Sequence, residues 1–348
     1  MLNFLLRRSG IMLLTALCLT FVVFFLTNLS PNLEKLAKTE GNMRMTDQQV
    51  ASWLERNGYS QPLIKRYGEW LGVAPGWTRV GEDGKETGRC VTGGASIADS
   101  PRFCGVLQGN WGQSLVFKEP VLDIIGRKLA LTGWLILWVM LVMVPTALVL
   151  GILAGMREGS RTDRTLSTLS IATTSTPEYV SGVILIVVFA SRAGGLQWFK
   201  GTAASAMDTI TFWNFTLPVM ALALYGLGYI ARMTRASMTE VMTEQYIRTA
   251  RLKGLTFAAV VLKHALRNAL IAPFTVIMLQ IPWLLTGVAI VETLFNYKGF
   301  GWTLVSAAQN NDIELLMGAS IVAVVVVLLT QLISDIGYVF LNPRISVN

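Results

Sequence analysis

Residues 244–273 read EQYIRTARLKGLTFAAVVLKHALRNALIAP, a basic stretch lying between two long apolar segments. The spacing predicts a helix over Ser237–Lys253. Gly254 then supplies the positive φ of a C-terminal cap. Thr256 opens a second helix as its N-cap, with Phe257, Val260 and Val261 apolar and Lys263 and Arg267 polar. Arg232, Arg235, Arg248, Arg251, Lys253, Lys263 and Arg267 make the neighbourhood strongly basic. At this level two readings stand: a helix–Gly–helix surface on which a partner pushes, or a plain amphipathic segment contacting phosphate headgroups.

Working outward, the chain is 53% hydrophobic and only 14% charged, a membrane balance. Charge-free apolar runs occupy Ile11–Leu29, Leu129–Met156, Thr209–Ala231, Asn268–Val291 and Leu315–Ser334. Each is close to the roughly 20 residues that cross a bilayer as a helix. A sixth run, Leu166–Ser191, starts rich in Ser and Thr and contains Pro177 and Glu178. Six spans are therefore predicted. They lack the period-two alternation of a barrel, and lipid demands internally bonded backbone, so they are helices. The first run ends at Thr27-Asn28-Leu29-Ser30-Pro31 without an A-x-A-like site, and is read as an uncleaved anchor.

Arg7, Arg8, Arg157, Arg161, Arg164, the seven basic residues above and Arg344 fall on one side of these spans. The short loops opposite hold Arg192, Lys200 and Lys298. That asymmetry predicts cytoplasmic N- and C-termini. The long loop Pro31–Lys128 holds thirteen Lys/Arg against eleven Asp/Glu, and long loops are exempt from the rule. The formal charge of +8 thus reflects membrane topology, not nucleic-acid binding.

Within the long loop, Thr46–Gly72 reads as helical from a cap near Thr46-Asp47, broken by Gly58 and Pro62. Roughly residues 73–105 are Gly-rich and turn-prone, an inserted lobe. It holds Cys90 and Cys104; Cys18 lies in the first span. On an oxidising side, a Cys90–Cys104 bridge stapling a coreless loop contributes about 3 kcal/mol; two free thiols are the alternative. A metal site is not expected, since the sole histidine, His264, lies on the other face. The organisation read is 1–30 tail and first span, 31–128 outer loop with its lobe, and 129–348 core, with the basic loop at about 237–268.

The spelling adds a resemblance. Gln245-Tyr246-Ile247-Arg248-Thr249-Ala250-Arg251-Leu252-Lys253-Gly254-Leu255, then His264-Ala265-Leu266-Arg267-Asn268-Ala269-Leu270 and Pro273, resembles the EAA loop of ABC-importer permeases. More narrowly it is similar to the dipeptide/oligopeptide/nickel permease family, in the subunit type with a long first periplasmic loop. Gly58-Tyr59-Ser60-Gln61-Pro62-Leu63 resembles that family's GLDQPL segment. Gly109-Asn110-Trp111-Gly112-Gln113-Ser114, Thr176-Pro177-Glu178-Tyr179, Val291-Glu292-Thr293-Leu294-Phe295 and Leu341-Asn342-Pro343-Arg344-Ile345 match in the right order. Lys298-Gly299 stands where the family has Pro-Gly, and the 73–105 lobe has no counterpart in the common pattern.

The resemblance implies an all-α polytopic fold of the type I ABC-importer (MetI-like) class, in the bacterial inner membrane. It implies a second homologous permease subunit, two cytoplasmic ATP-binding subunits and a periplasmic solute-binding protein as partners. The cargo would be peptides or peptide-like solutes. The chain has no G-x-x-x-x-G-K-[ST], so ATP and Mg belong to the partner ATPases. The ATPase-coupling surface implied is Arg248, Thr249, Ala250, Arg251, Lys253, Gly254 and Leu255. Glu178 and Glu292, near membrane depth, are candidates for the pathway or for structural pairing. Asp335 is expected to pair with a loop arginine. The rival reading is a stand-alone secondary transporter or channel, which would need inverted repeats or mid-membrane acids. An intramembrane enzyme would need a nucleophile–base pair inside a span.

Overall fold

A computed structural model describes residues 2–81, 84, 86–91, 95–191 and 196–341. Arg192, Arg344, the tail from Asn342 onward, and Glu82, Asp83, Gly93 and Gly94 of the lobe lie outside the described residues. In chain order the elements are α1 (Leu2–Thr27), α2 (Ser30–Glu40), α3 (Asp47–Arg56), α4 (Leu63–Leu71), β1 (Thr78–Val80), β2 (Glu86–Gly88), α5 (Val121–Gly155), α6 (Arg161–Ser175) and α7 (Glu178–Phe189). They continue as α8 (Phe212–Thr243), α9 (Gln245–Leu252), α10 (Phe257–Ala259), a π-helical turn at Val260–Ala265, α11 (Leu266–Ala269), α12 (Ile271–Leu294), α13 (Phe300–Gln309) and α14 (Ile313–Leu341).

Four helices are long and apolar enough to cross a bilayer, over Leu6–Thr27, Val121–Gly155, Phe212–Thr243 and Ile313–Gly337. Counting each of two bent pairs as one span gives the six predicted: Arg161–Ser175 with Glu178–Phe189, bent by 107°, and Phe257–Ala269 with Ile271–Leu285, bent by 51°. The sixth run is thus a sharply angled pair and not one rod. Pro177 explains it: the ring disfavours helical backbone at the preceding residue, and Thr176 is extended (φ −99°, ψ 117°).

The chain divides into two compact units. One comprises Met1–Arg8, Lys128–Thr303 and Val326–Asn348. Its axis is α8, against which α6, α7 and α12 pack. Within its most apolar window 72% of α8 is buried, against 17–28% for the other three long spans, so α8 alone among these is enclosed by protein. Leu217, Leu222 and Ile230 of α8 join Leu135, Met143, Leu284 and Tyr297 in the core. Gly151 and Gly155 lie against it at Thr234 and Met238; a Cβ at either would come within 2.5 Å of those side chains, the close approach that small residues permit between membrane helices. Arg8 pairs with Asp335 at 2.6 Å. The expected partner of Asp335 was a loop arginine; the observed one sits in α1.

The other unit comprises Ser9–Arg127 and Leu304–Val325. Thr46 caps α3 as predicted, in a reciprocal capping box with Gln49, and α4 ends at Gly72 in the left-handed region (φ 88°). Tyr67 and Trp70 of α4 pack on Phe24 of α1, joined by Leu33, Leu36, Ile313 and Met317. Tyr67 Oη and Thr20 Oγ1 share a hydrogen bond of 2.8 Å. Asp312 caps α14 by accepting from Leu315 N, and also accepts from Ser114 Oγ (2.5 Å) and Val116 N. β1 and β2 form an antiparallel hairpin with Arg79 opposite Thr87. Cys90 and Cys104 are disulfide-bonded, with Cα atoms 5.5 Å apart, and both are buried.

Candidate functional site

The basic loop is built from the inside out. Ile247, Ala250, Val260, Val261, Ala265 and Ala269 form a buried layer with Met238 of α8. Apolar residues at 247 and 250 lie one helical turn apart on α9, so they share a face. The π-helical turn widens the second helix over Val260–Ala265 and keeps three of its apolar residues on that layer, a device frequent at functional sites.

The helix predicted over Ser237–Lys253 is in fact two. Glu244 is extended (φ −63°, ψ 148°), ending α8 and starting α9. Helix-compatible residues on both sides hide this break. Its cause is tertiary: α9 must turn for Ile247 and Ala250 to reach Met238.

At the far end of α9, Gly254 adopts φ +77°. Its N–H bonds Arg251 O at 3.0 Å, and Leu255 N–H bonds Ala250 O at 3.4 Å. This is the Schellman arrangement, in which the left-handed residue is usually Gly. Thr256 then caps the next helix, its Oγ1 accepting from Ala259 N. Residues 251–258 are all exposed, with Leu252 at 80%. A Cβ on Gly254 would meet nothing within 4 Å. The Arg157 guanidinium lies 5.7 Å from the Phe257 ring, and Asn268 Nδ2 donates to Tyr246 Oη at 2.8 Å.

Of the seven coupling residues expected, Arg248, Thr249, Arg251, Lys253, Gly254 and Leu255 are exposed together on this elbow. Ala250 faces inward in the packed layer. His264 is half-buried. No group of His, Cys, Asp and Glu able to hold a metal occurs among the described residues.

The two pathway candidates separate. Glu292 is fully buried: Thr132 Oγ1 donates to its Oε1, and Trp302 N donates to its Oε2 at 2.9 Å. It ties α5, α12 and α13 together. Glu178 is half-exposed at the start of α7, beside Gly287 of α12, where an added Cβ would stand 3.4 Å from its Oε1. One polar contact was missed by sequence reasoning. Asp163, which is 3% exposed, accepts from Arg235 Nε and Nη2 at 2.5 and 2.8 Å. The two residues are 72 positions apart, and no local pattern joins them.

A family model described as "Binding-protein-dependent transport system inner membrane component" matches residues 147–347. A di/tripeptide transport system permease protein of Pseudomonas aeruginosa is 31% identical over 367 residues, covering 99% of each chain. The dipeptide transport system permease protein of Escherichia coli K12 is 28% identical over 370 residues, again 99% of each. A glutathione transport system permease protein of Escherichia coli O1:K1 is 34% identical over 239 residues, covering 69% of this chain and 76% of that one. With its helical spans and its packed, outward-facing elbow, this chain belongs to the inner-membrane permease components of binding-protein-dependent ABC importers.

Proposed function

We propose that this permease forms half of the translocation pathway for peptides or peptide-like solutes, beside a second homologous subunit. Two cytoplasmic ATPases would drive it by docking on the exposed Arg248, Thr249, Arg251, Lys253, Gly254 and Leu255, and a periplasmic binding protein would deliver the cargo. The observation that carries the coupling assignment is the contrast across one short segment. Residues 251–258 are exposed without interruption, while Ile247, Val260 and Ala265 beneath them are fully buried. A surface so backed moves as a piece with α8, to which it is packed, so a push on it reaches the enclosed span. The names of the relatives favour peptides as cargo. The Lys and Arg asymmetry favours cytoplasmic termini. A stand-alone transporter or channel is disfavoured, because the relatives over the full length are permeases of multi-part systems.

The test is Gly254→Trp in the assembled importer. Membrane insertion should persist while ATP-driven uptake and its coupling to hydrolysis are lost. Uptake at the wild-type rate would remove the docking assignment.

A further inference from the structure

Within the unit that holds Lys128–Thr303, α7, α8 and α12 pack on one another pairwise. Two features that lipid does not tolerate meet there. The first is the break between α6 and α7. Thr176 is extended, Pro177 carries no N–H, and the first-turn amides of α7 have no side-chain cap. The second is the Glu178 carboxylate. It is partly exposed, and no Lys, Arg or His lies within ion-pair distance of it among the described residues.

Contacts fix the depth. Gly182, one turn after Glu178, lies against α8, where an added Cβ would stand 3.6 Å from Ala221 Cβ. Ala221 is near the middle of the charge-free run Thr209–Ala231. One helical turn is about 5.4 Å, well short of the roughly 15 Å between the bilayer centre and the edge of its hydrocarbon. Glu178 thus lies at apolar depth. Irregular backbone at such a depth occurs only where protein or water covers it. Ionised side chains there face a bundle interior or a water-filled cavity. One cause serves both features: the junction borders water.

The neighbouring surface indicates what passes. A Cβ on Gly287 of α12 would stand 3.4 Å from Glu178 Oε1 and 3.9 Å from Trp283 Cη2, so the carboxylate and the indole edge border the same glycine. Trp283 stacks on Tyr225 of α8 at 4.4 Å, with the rings 13° apart, and both are half-buried. A carboxylate attracts a cation, and the faces of aromatic rings do the same. Every unblocked peptide carries one such cation, its amino terminus.

We propose that Glu178, with Trp283 and Tyr225 beside it, is a station in the translocation pathway that holds the positively charged amino group of the passing solute. The inference rests on the permease reading above and adds the residues and the chemistry by which the pathway recognises its cargo.

The assembled importer in proteoliposomes, with Cys18→Ser to remove the exposed free thiol, tests it in two steps. In the first, Trp283→Cys is labelled with a cationic and with an anionic methanethiosulfonate. Glu178→Gln should cut the preference for the cationic reagent by about tenfold, because a charge in a low-dielectric cleft concentrates counter-ions by that order. Tyr225→Cys is the reporter where Trp283→Cys does not assemble. In the second, uptake of L-alanyl-L-alanine is measured. Glu178→Gln should lower it by about tenfold, the loss of one partner of a charge pair, while ATP hydrolysis stimulated by the loaded binding protein persists. Glu178→Asp should keep more of the uptake than Glu178→Gln.

Reporter cysteines unreactive with both reagents, a preference unmoved by Glu178→Gln, or full uptake by that variant would each overturn the proposal. Loss of the second permease subunit from the Glu178→Gln complex would overturn it as well, assigning the carboxylate to a cation of that partner. Wild type that takes up no dipeptide would sink the cargo reading alone, since the reagent preference is read without transport.

Discussion

Asp163 and Arg235 hold α6 to α8 through two parallel hydrogen bonds, Nε to Oδ1 and Nη2 to Oδ2. The carboxylate also accepts from Gly159 N at 2.9 Å and Ser167 Oγ at 3.1 Å. Arg235→Ala leaves a buried charge without its counter-ion, which should destabilise the chain by about 3 kcal/mol. Replacing both partners, as Asp163→Leu with Arg235→Met, should recover more than half of that loss. A double-mutant cycle on unfolding in mixed micelles reads the coupling. Single variants indistinguishable from wild type would mean that the pair contributes nothing.

Gly254 separates strain from bulk. At φ +77° any L-residue is strained, by about 1 kcal/mol, but the surrounding space is empty. Gly254→Ala should therefore lower uptake modestly, whereas Gly254→Trp adds volume on the exposed face and should abolish it. Equal uptake by the two variants in membrane vesicles would trace the effect to backbone conformation and not to a blocked surface.

The Cys90–Cys104 bridge spans a sequence separation of 14 residues, a loop length for which chain entropy contributes about 3 kcal/mol. Its removal as Cys90→Ser with Cys104→Ser should leave the spans intact and loosen the lobe. Trypsin cleavage after Arg89 or Arg102 should then accelerate by about a hundredfold, the equivalent of that energy. Wild type under reductant should behave the same way; cleavage rates insensitive to reductant would show that the lobe is ordered without its bridge.

These cases divide by the distance over which their cause acts. Thr46, Gly254 and Thr256 were legible because capping is decided by a few neighbouring residues, and the apolar runs because bilayer thickness sets their length. The break at Glu244 was not: its local sequence suits a helix, and packing of Ile247 and Ala250 on Met238 overrides it. Pro177 announces the break at Thr176, but the size of the bend, 107°, is not written in the local sequence. Glu292 was noticed as an acid at depth, but its partners Thr132 and Trp302 become visible only when three helices meet.

Glu69 should make stability depend on pH. Burial raises its carboxyl, opposed in turn by Lys65, Arg89 and Arg66. Between the ordinary carboxylate range and this raised value, the native state binds a proton that the unfolded chain does not. Stability in that window therefore falls as pH rises and recovers as pH drops. Thermal unfolding of the purified chain on acidification from neutral pH toward the ordinary carboxylate range should show a larger gain for wild type than for Glu69→Gln, the difference isolating this one group from Glu40. Lys65→Met removes the largest opposing charge, so it should shift the recovery to higher pH. Parallel curves for wild type and Glu69→Gln would mean that folding leaves the proton affinity of Glu69 unchanged.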